Sequence, residues 1–210
     1  MAILLLFALI QIDPNQKYLD YLSSSLVDHK GVRMDIKWSQ VDGDKSWSQV
    51  GVIELHGNRQ FFLDTDQQSI KIDNNQIITF YKINNGKIIY DTMIQGGYGI
   101  FDFLSGDFSG FTISNSTANR ESIQLDYNMH AFNITGKIWI KQKLFEPIKF
   151  TFGNNPERPD QFIEVEITNY SPIVKESLFQ SFNPNAEEII DLREYCLLYT
   201  SDAADEEDSV

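Results

Sequence analysis

The sequence predicts a mainly β protein: one wide, curved antiparallel sheet with a few helices to cover it. Three observations carry that expectation. Apolar and polar residues alternate through most of the chain from Met34 onward, the two-residue period of a strand with one buried face. Short polar turns such as His56-Gly57-Asn58, Asp73-Asn74-Asn75 and Asn84-Asn85-Gly86 separate the alternating stretches, and turns that short join antiparallel neighbours. Only two substantial non-strand pieces precede the C-terminal part, so a wide sheet must curl and use them as cover.

Asp13-Pro14 is a helix start, an N-cap residue followed by proline at the first helical position. Leu19, Leu22 and Leu26 follow at helical spacing and Gly31 offers a stop, so an amphipathic helix is expected from about Pro14 to Asp28. The period then changes to two. Met34, Ile36 and Trp38 alternate with Arg33, Asp35 and Lys37, and the pattern returns in VGVIELHG, RQFFLDT, SIKID, QIITFYKI and KIIYDTM, a meander from about Val32 to Met93. The stretch QGGYGIFDFLSGDFSGF, Gln95 to Phe111, interrupts it with glycines and aromatic rings together. Strands resume in SIQLDYN, GKIWIKQ, PIKFTFG and FIEVEITNY, where Ile148, Phe150 and Phe152 are expected on one face. Roughly nine or ten strands are expected in all. GNNPERPD reads as a hairpin loop, and AEEIIDLREY after Asn183-Pro184 as a short helix. No internal repeat is found, and a single domain over residues 13–195 is the simplest parse.

The two ends stand apart. AILLLFALI, Ala2 to Ile10, is too short to span a bilayer and has the length of a signal-peptide apolar region. Residues 1–12 read as a truncated or mis-started export signal in preference to a buried helix or strand, although no Lys or Arg precedes the run. CLLYTSDAADEEDSV, residues 196–210, resembles the conceptual translation of a transposase-type sequencing adapter, with a solvated acidic tail as the alternative.

Composition narrows the function. At 210 residues and 42% hydrophobic the chain is long and apolar enough for a sizeable core. A net charge of -13 argues against nucleic acid, whose phosphates need a basic surface. The single cysteine, Cys196, excludes an internal disulfide framework, and His29, His56 and His130 belong to no metal motif or triad. Gly97 and Gly99 lack the third glycine of a dinucleotide fingerprint, and no Gly-Lys-Ser/Thr follows. Glu164 and Glu166 alternate with Ile163, Val165 and Ile167, which favours a solvated strand face over an acid–base pair. No catalytic constellation emerges, and no enzyme is expected. What remains is apolar surface: 15 Phe, 9 Tyr and 3 Trp exceed the needs of a one-helix sheet and point to an enclosed cavity.

GVIELHGNRQFFLD at Gly51 to Asp64, DNNQIITFY at Asp73 to Tyr81 and GKIWIKQKLFEPIKF at Gly136 to Phe150, in this order after the helix, resemble the periplasmic outer-membrane lipoprotein carrier family, LolA. Asn74 stands where the family has a turn glycine, and Gly57, with Arg59 two residues on, where enteric members carry a latch arginine. The resemblance covers about Pro14 to Tyr170. It implies an incomplete antiparallel barrel under a helical lid, without cofactor and monomeric, in the periplasm of a Gram-negative bacterium. Such a protein takes acylated lipoproteins from an inner-membrane ABC-type releasing complex to an outer-membrane receptor. The same fold serves periplasmic sensors of envelope stress, the alternative reading. Met34, Ile36, Trp38, Ile53, Leu55, Phe61, Leu63, Ile78 and Phe80 are the expected lipid-facing set. Leu19, Leu22, Ile100, Phe101, Phe103 and Leu104 are the expected lid, and Gly96, Gly97, Gly99 and Gly106 its hinges, with a static plug as the alternative for that segment.

Overall fold

The computed structural model describes residues 15–27, 31–57, 60–83, 86–92, 108–130, 133–153, 158–173 and 177–193. Helix α1 (Gln16–Leu26) is followed by β1 (Val32–Asp42), β2 (Lys45–Leu55), β3 (Gln60–Thr65), β4 (Gln68–Asp73), β5 (Gln76–Tyr81) and β6 (Lys87–Thr92). Then come β7 (Thr112–Ala118), β8 (Ser122–Met129), β9 (Ile134–Lys141), β10 (Pro147–Gly153), β11 (Gln161–Pro172), a single helical turn α2 (Leu178–Ser181) and β12 (Glu188–Asp191).

The twelve strands of the described residues form one sheet in the order β12-β6-β5-β4-β3-β2-β1-β11-β10-β9-β8-β7. Every pairing is antiparallel except that of β12 with β6. The expected architecture is the observed one: mainly β with few helices, a curved sheet that does not close. The meander β1 to β6 follows sequence order because each turn is short; Asn74 takes the left-handed conformation, φ 56°, that the β4–β5 turn demands. Neighbouring backbones crowd most closely where a side chain is absent. A Cβ on Gly51 would lie 2.5 Å from the Asp64 carbonyl oxygen, and one on Gly136 would lie 1.9 Å from that of Thr151.

Two expectations are corrected. The described part of AEEIIDLREY holds no helix: Glu188–Asp191 is a strand paired in parallel with β6, which satisfies the backbone better than an isolated turn could. Ile148 does not share a face with Phe150 and Phe152, because a bulge between Pro147 and Lys149 breaks the alternation. The strands also number twelve where about nine or ten are expected, the additions lying at the two sheet edges.

Candidate functional site

The concave face of the sheet carries the main apolar core. Cross-strand register aligns Met34 with Ile53 and Ile53 with Leu63, and likewise Val32 with Leu55 and Leu55 with Phe61, so these six share a face. Ile36 and Trp38 continue the row along β1, and all of them belong to or pack on one core cluster. Of the nine expected lipid-facing residues, seven therefore lie together on the concave side: Met34, Ile36, Trp38, Ile53, Leu55, Phe61 and Leu63.

Ile78 and Phe80 do not. Register aligns Phe61 with Ile72 and Ile72 with Ile77, which leaves Ile78 and Phe80 on the convex side. Strand β5 is apolar on both faces, Ile77 facing one way and Ile78 the other, because the sheet is covered on both sides here. Phe80 lines a 280 Å³ space with Phe62, Leu178, Phe182 and Pro184.

Helix α1 covers part of the concave face. Leu19, Leu22 and Leu26 are fully buried in the core cluster. Three polar contacts fix the helix: Ser116 Oγ donates to Asn15 Oδ1 at 2.7 Å, Ser25 Oγ donates to the Phe145 carbonyl at 3.1 Å, and the Tyr170 hydroxyl donates to the Ser25 carbonyl. Phe145, held at φ 54°, stacks its ring on Tyr21 with centroids 4.5 Å apart. The expected lid residues Ile100, Phe101, Phe103 and Leu104 and hinges Gly96, Gly97, Gly99 and Gly106 lie outside the described residues. The end of that segment is described: Phe108 and Phe111 are buried edge to face, and Phe111 packs on Tyr127 with centroids 5.0 Å apart. Burial raises the Tyr127 phenol pKa above its ordinary value, and its hydroxyl donates to the Thr151 carbonyl at 3.0 Å.

A second core lies on the convex side, where Phe80 meets residues that sequence reasoning did not single out. The C-terminal segment Ser177–Arg193 runs back across the meander. Phe182 meets Phe62 at 5.2 Å between centroids, Phe179 lies 5.1 Å from the His56 ring, and Lys71 Nζ sits 4.3 Å from the Phe179 centroid. At its head, the fully buried Glu54 carboxylate accepts from Ser177 Oγ at 2.9 Å, Phe179 N–H at 3.1 Å and Arg33 Nε at 2.8 Å, with Arg33 Nη2 closer still. His56 Nε2 lies 3.2 Å from Glu54 and 2.9 Å from Ser177. One ring nitrogen faces both oxygens, so this is a clamp and not the relay in which serine and carboxylate take opposite nitrogens. Burial by itself would raise the Glu54 pKa, but donors from the Phe179 N–H, Arg33, His56 and the Leu178 N–H lower it to about 2. The available signal was two-faced apolarity in QFFLD and QIITFY, which announces a second covering layer.

Glu164 and Glu166 point outward, as expected, with Glu164 3.2 Å from Lys149. Among the described residues no group of three or more His, Cys, Asp or Glu side chains could hold a metal, and no helix is long and apolar enough to cross a membrane.

No protein-family model and no curated protein sequence matches the chain. Solved structures match its fold. An uncharacterized conserved protein from Thermus thermophilus superposes with a TM-score of 0.57 at 9% identity, over 85% of this chain and 99% of its own. A LolA superfamily protein from Nitrosomonas europaea aligns at a TM-score of 0.46 with 10% identity, over 82% of this chain and 99% of that one. A putative outer membrane lipoprotein-sorting protein domain from Vibrio parahaemolyticus aligns at 0.40 with 10% identity, over 77% and 94%. At such identities the likeness is one of fold alone.

Proposed function

We propose that the protein is a non-enzymatic carrier that holds the acyl chains of lipoproteins against its concave face. It ferries them through a Gram-negative periplasm, from an inner-membrane ABC-type releasing complex to an outer-membrane receptor, as a monomer without cofactor. The observation that carries this reading is a row of apolar side chains on the concave face that stay only partly buried. Trp38, Ile70, Ile77, Phe152, Ile163 and Ile167 pack on the core yet stay only partly buried. Each acyl methylene withdrawn from water contributes about 0.8 kcal/mol, so a lipid anchor crosses an aqueous gap only when sheltered, and a partly covered apolar concavity supplies that shelter.

Native mass spectrometry of the protein purified from a Gram-negative periplasm tests the proposal. Retained acylated species, with no turnover of acyl esters, are expected. A protein that carries none, and that also fails to take up an added fatty acid, is no carrier.

A further inference from the structure

Among the described residues, burial on the concave face is complete at one end and falls away at the other. At the fully buried end Val32 pairs with Leu55 and Met34 with Ile53, all four buried, and Tyr170 ties the sheet to α1. Toward the β1–β2 turn, a cross-strand row runs from Trp38 through Val165 and Phe150 to Ile138, and the last three are still fully buried. The next row outward, Trp47, Gln40, Ile163 and Phe152, is different: Ile163 and Phe152 are half-buried and Trp47 is 46% exposed. Burial thus falls away within one two-residue step, about 7 Å of strand. A 380 Å³ cavity opens here at the strand ends, lined by Phe152, Phe162 and Ile163 and by the polar Gln40, Asp42 and Gln161. That volume lies within the roughly 300–1,000 Å³ of small-molecule sites.

A second observation points to a ligand. Gln49 sits opposite Trp38, one row inside the opening, and its Oε1 is buried without a hydrogen-bond partner among the described residues. Buried side-chain amides are ordinarily satisfied, and an orphan needs an explanation. An unpartnered amide oxygen beside the apolar Trp38, Phe152 and Ile163 complements a molecule that has a long apolar tail and one polar end. The unpartnered atom is an acceptor, so it suits a polar end that carries an N–H donor, such as an amide.

Resting on the carrier reading above, we infer that this end is the mouth through which an acyl chain is loaded, with its polar end held at Gln49 and its first methylenes against Trp38, Trp47 and Phe152. The three tryptophans supply the test, because Trp38 and Trp47 share the concave face while Trp139 aligns with Lys149 on the convex one. Three full-length variants each keep one tryptophan and carry phenylalanine at the other two positions. Each is titrated with stearic acid brominated near its carboxyl end, and uptake of the acid is measured separately by native mass spectrometry. Quenching of Trp38 and Trp47 with Trp139 unaffected is expected. Uptake with only Trp139 quenched, or with no tryptophan quenched, overturns the mouth while leaving the carrier reading standing; no uptake overturns both. In Gln49→Leu, affinity for N-palmitoylglycine, whose amide N–H can donate to Oε1, should fall about tenfold, the worth of one hydrogen bond, while affinities for palmitic acid and methyl palmitate, which offer no donor at neutral pH, hold. Equal affinities for all three in variant and parent remove Gln49 from the site.

Discussion

Glu54 sits where an ionised carboxylate is least welcome, in a fully buried position between two strands and a helical turn, and donor groups from Arg33, His56, Ser177, Leu178 and Phe179 keep it charged. Its folded pKa of about 2 lies below the ordinary 4.5. The clamp's contribution is therefore fully present above pH 4.5 and is lost as pH falls toward 2, a difference of about 3 kcal/mol. Glu54→Gln should destabilise the protein at neutral pH and flatten that acid slope, as read by denaturant unfolding at stepped pH; equal slopes in both proteins would rule the clamp out. Gly136 and Gly110 make a second contrast. An alanine at Gly136 collides with Thr151, so Gly136→Ala should cost more than about 2 kcal/mol, whereas Gly110→Ala meets open space and should stay within about 1 kcal/mol. Neither glycine's role was legible in the sequence, since the collision at Gly136 comes from a strand that pairs with it and not from its neighbours in the chain.

At the scale of elements, α1 was legible because its three leucines recur at helical spacing; its expected Asp13-Pro14 start lies outside the described residues, and the helix has Asn15 as its N-cap. Leu22 is fully buried against the sheet, so Leu22→Ala should cost about 2–5 kcal/mol in denaturant unfolding. It should also expose enough of the concave face to bind a hydrophobic dye in the folded state. An unchanged midpoint would mean that α1 is not docked as described. The meander was legible for a similar reason, its period being two and its turns short. The faces of β5 were not, because QIITFY is apolar on both sides and parity says only which residues go together. The C-terminal segment misled for a related reason. Ile189 and Ile190 in AEEIIDLREY fit a helical face, but the open edge of β6 offered backbone partners that no local pattern reveals, and Ile189 remains 64% exposed there.

The whole molecule joins two cores across one sheet. The convex core is closed by a clamp of charged and aromatic contacts, while among the described residues burial of the concave core is complete near Val32 and Leu55 and falls away near Trp47. The curved sheet was foreseeable from strand number and from the scarcity of helix; the direction in which its cavity opens was not, because it depends on which ends of twelve strands coincide. A stable shell on one side and a partly buried apolar concavity on the other are what a carrier needs, since cargo must be sheltered and also released. The most direct measurement is an equilibrium titration of the purified protein with a fluorescent fatty acid. The carrier account predicts saturable binding with a blue-shifted probe, accompanied by a thermal stabilisation that reaches about 2.7 kcal/mol when free ligand is a hundredfold above its Kd. A linear, non-saturating signal with an unchanged unfolding temperature would contradict it.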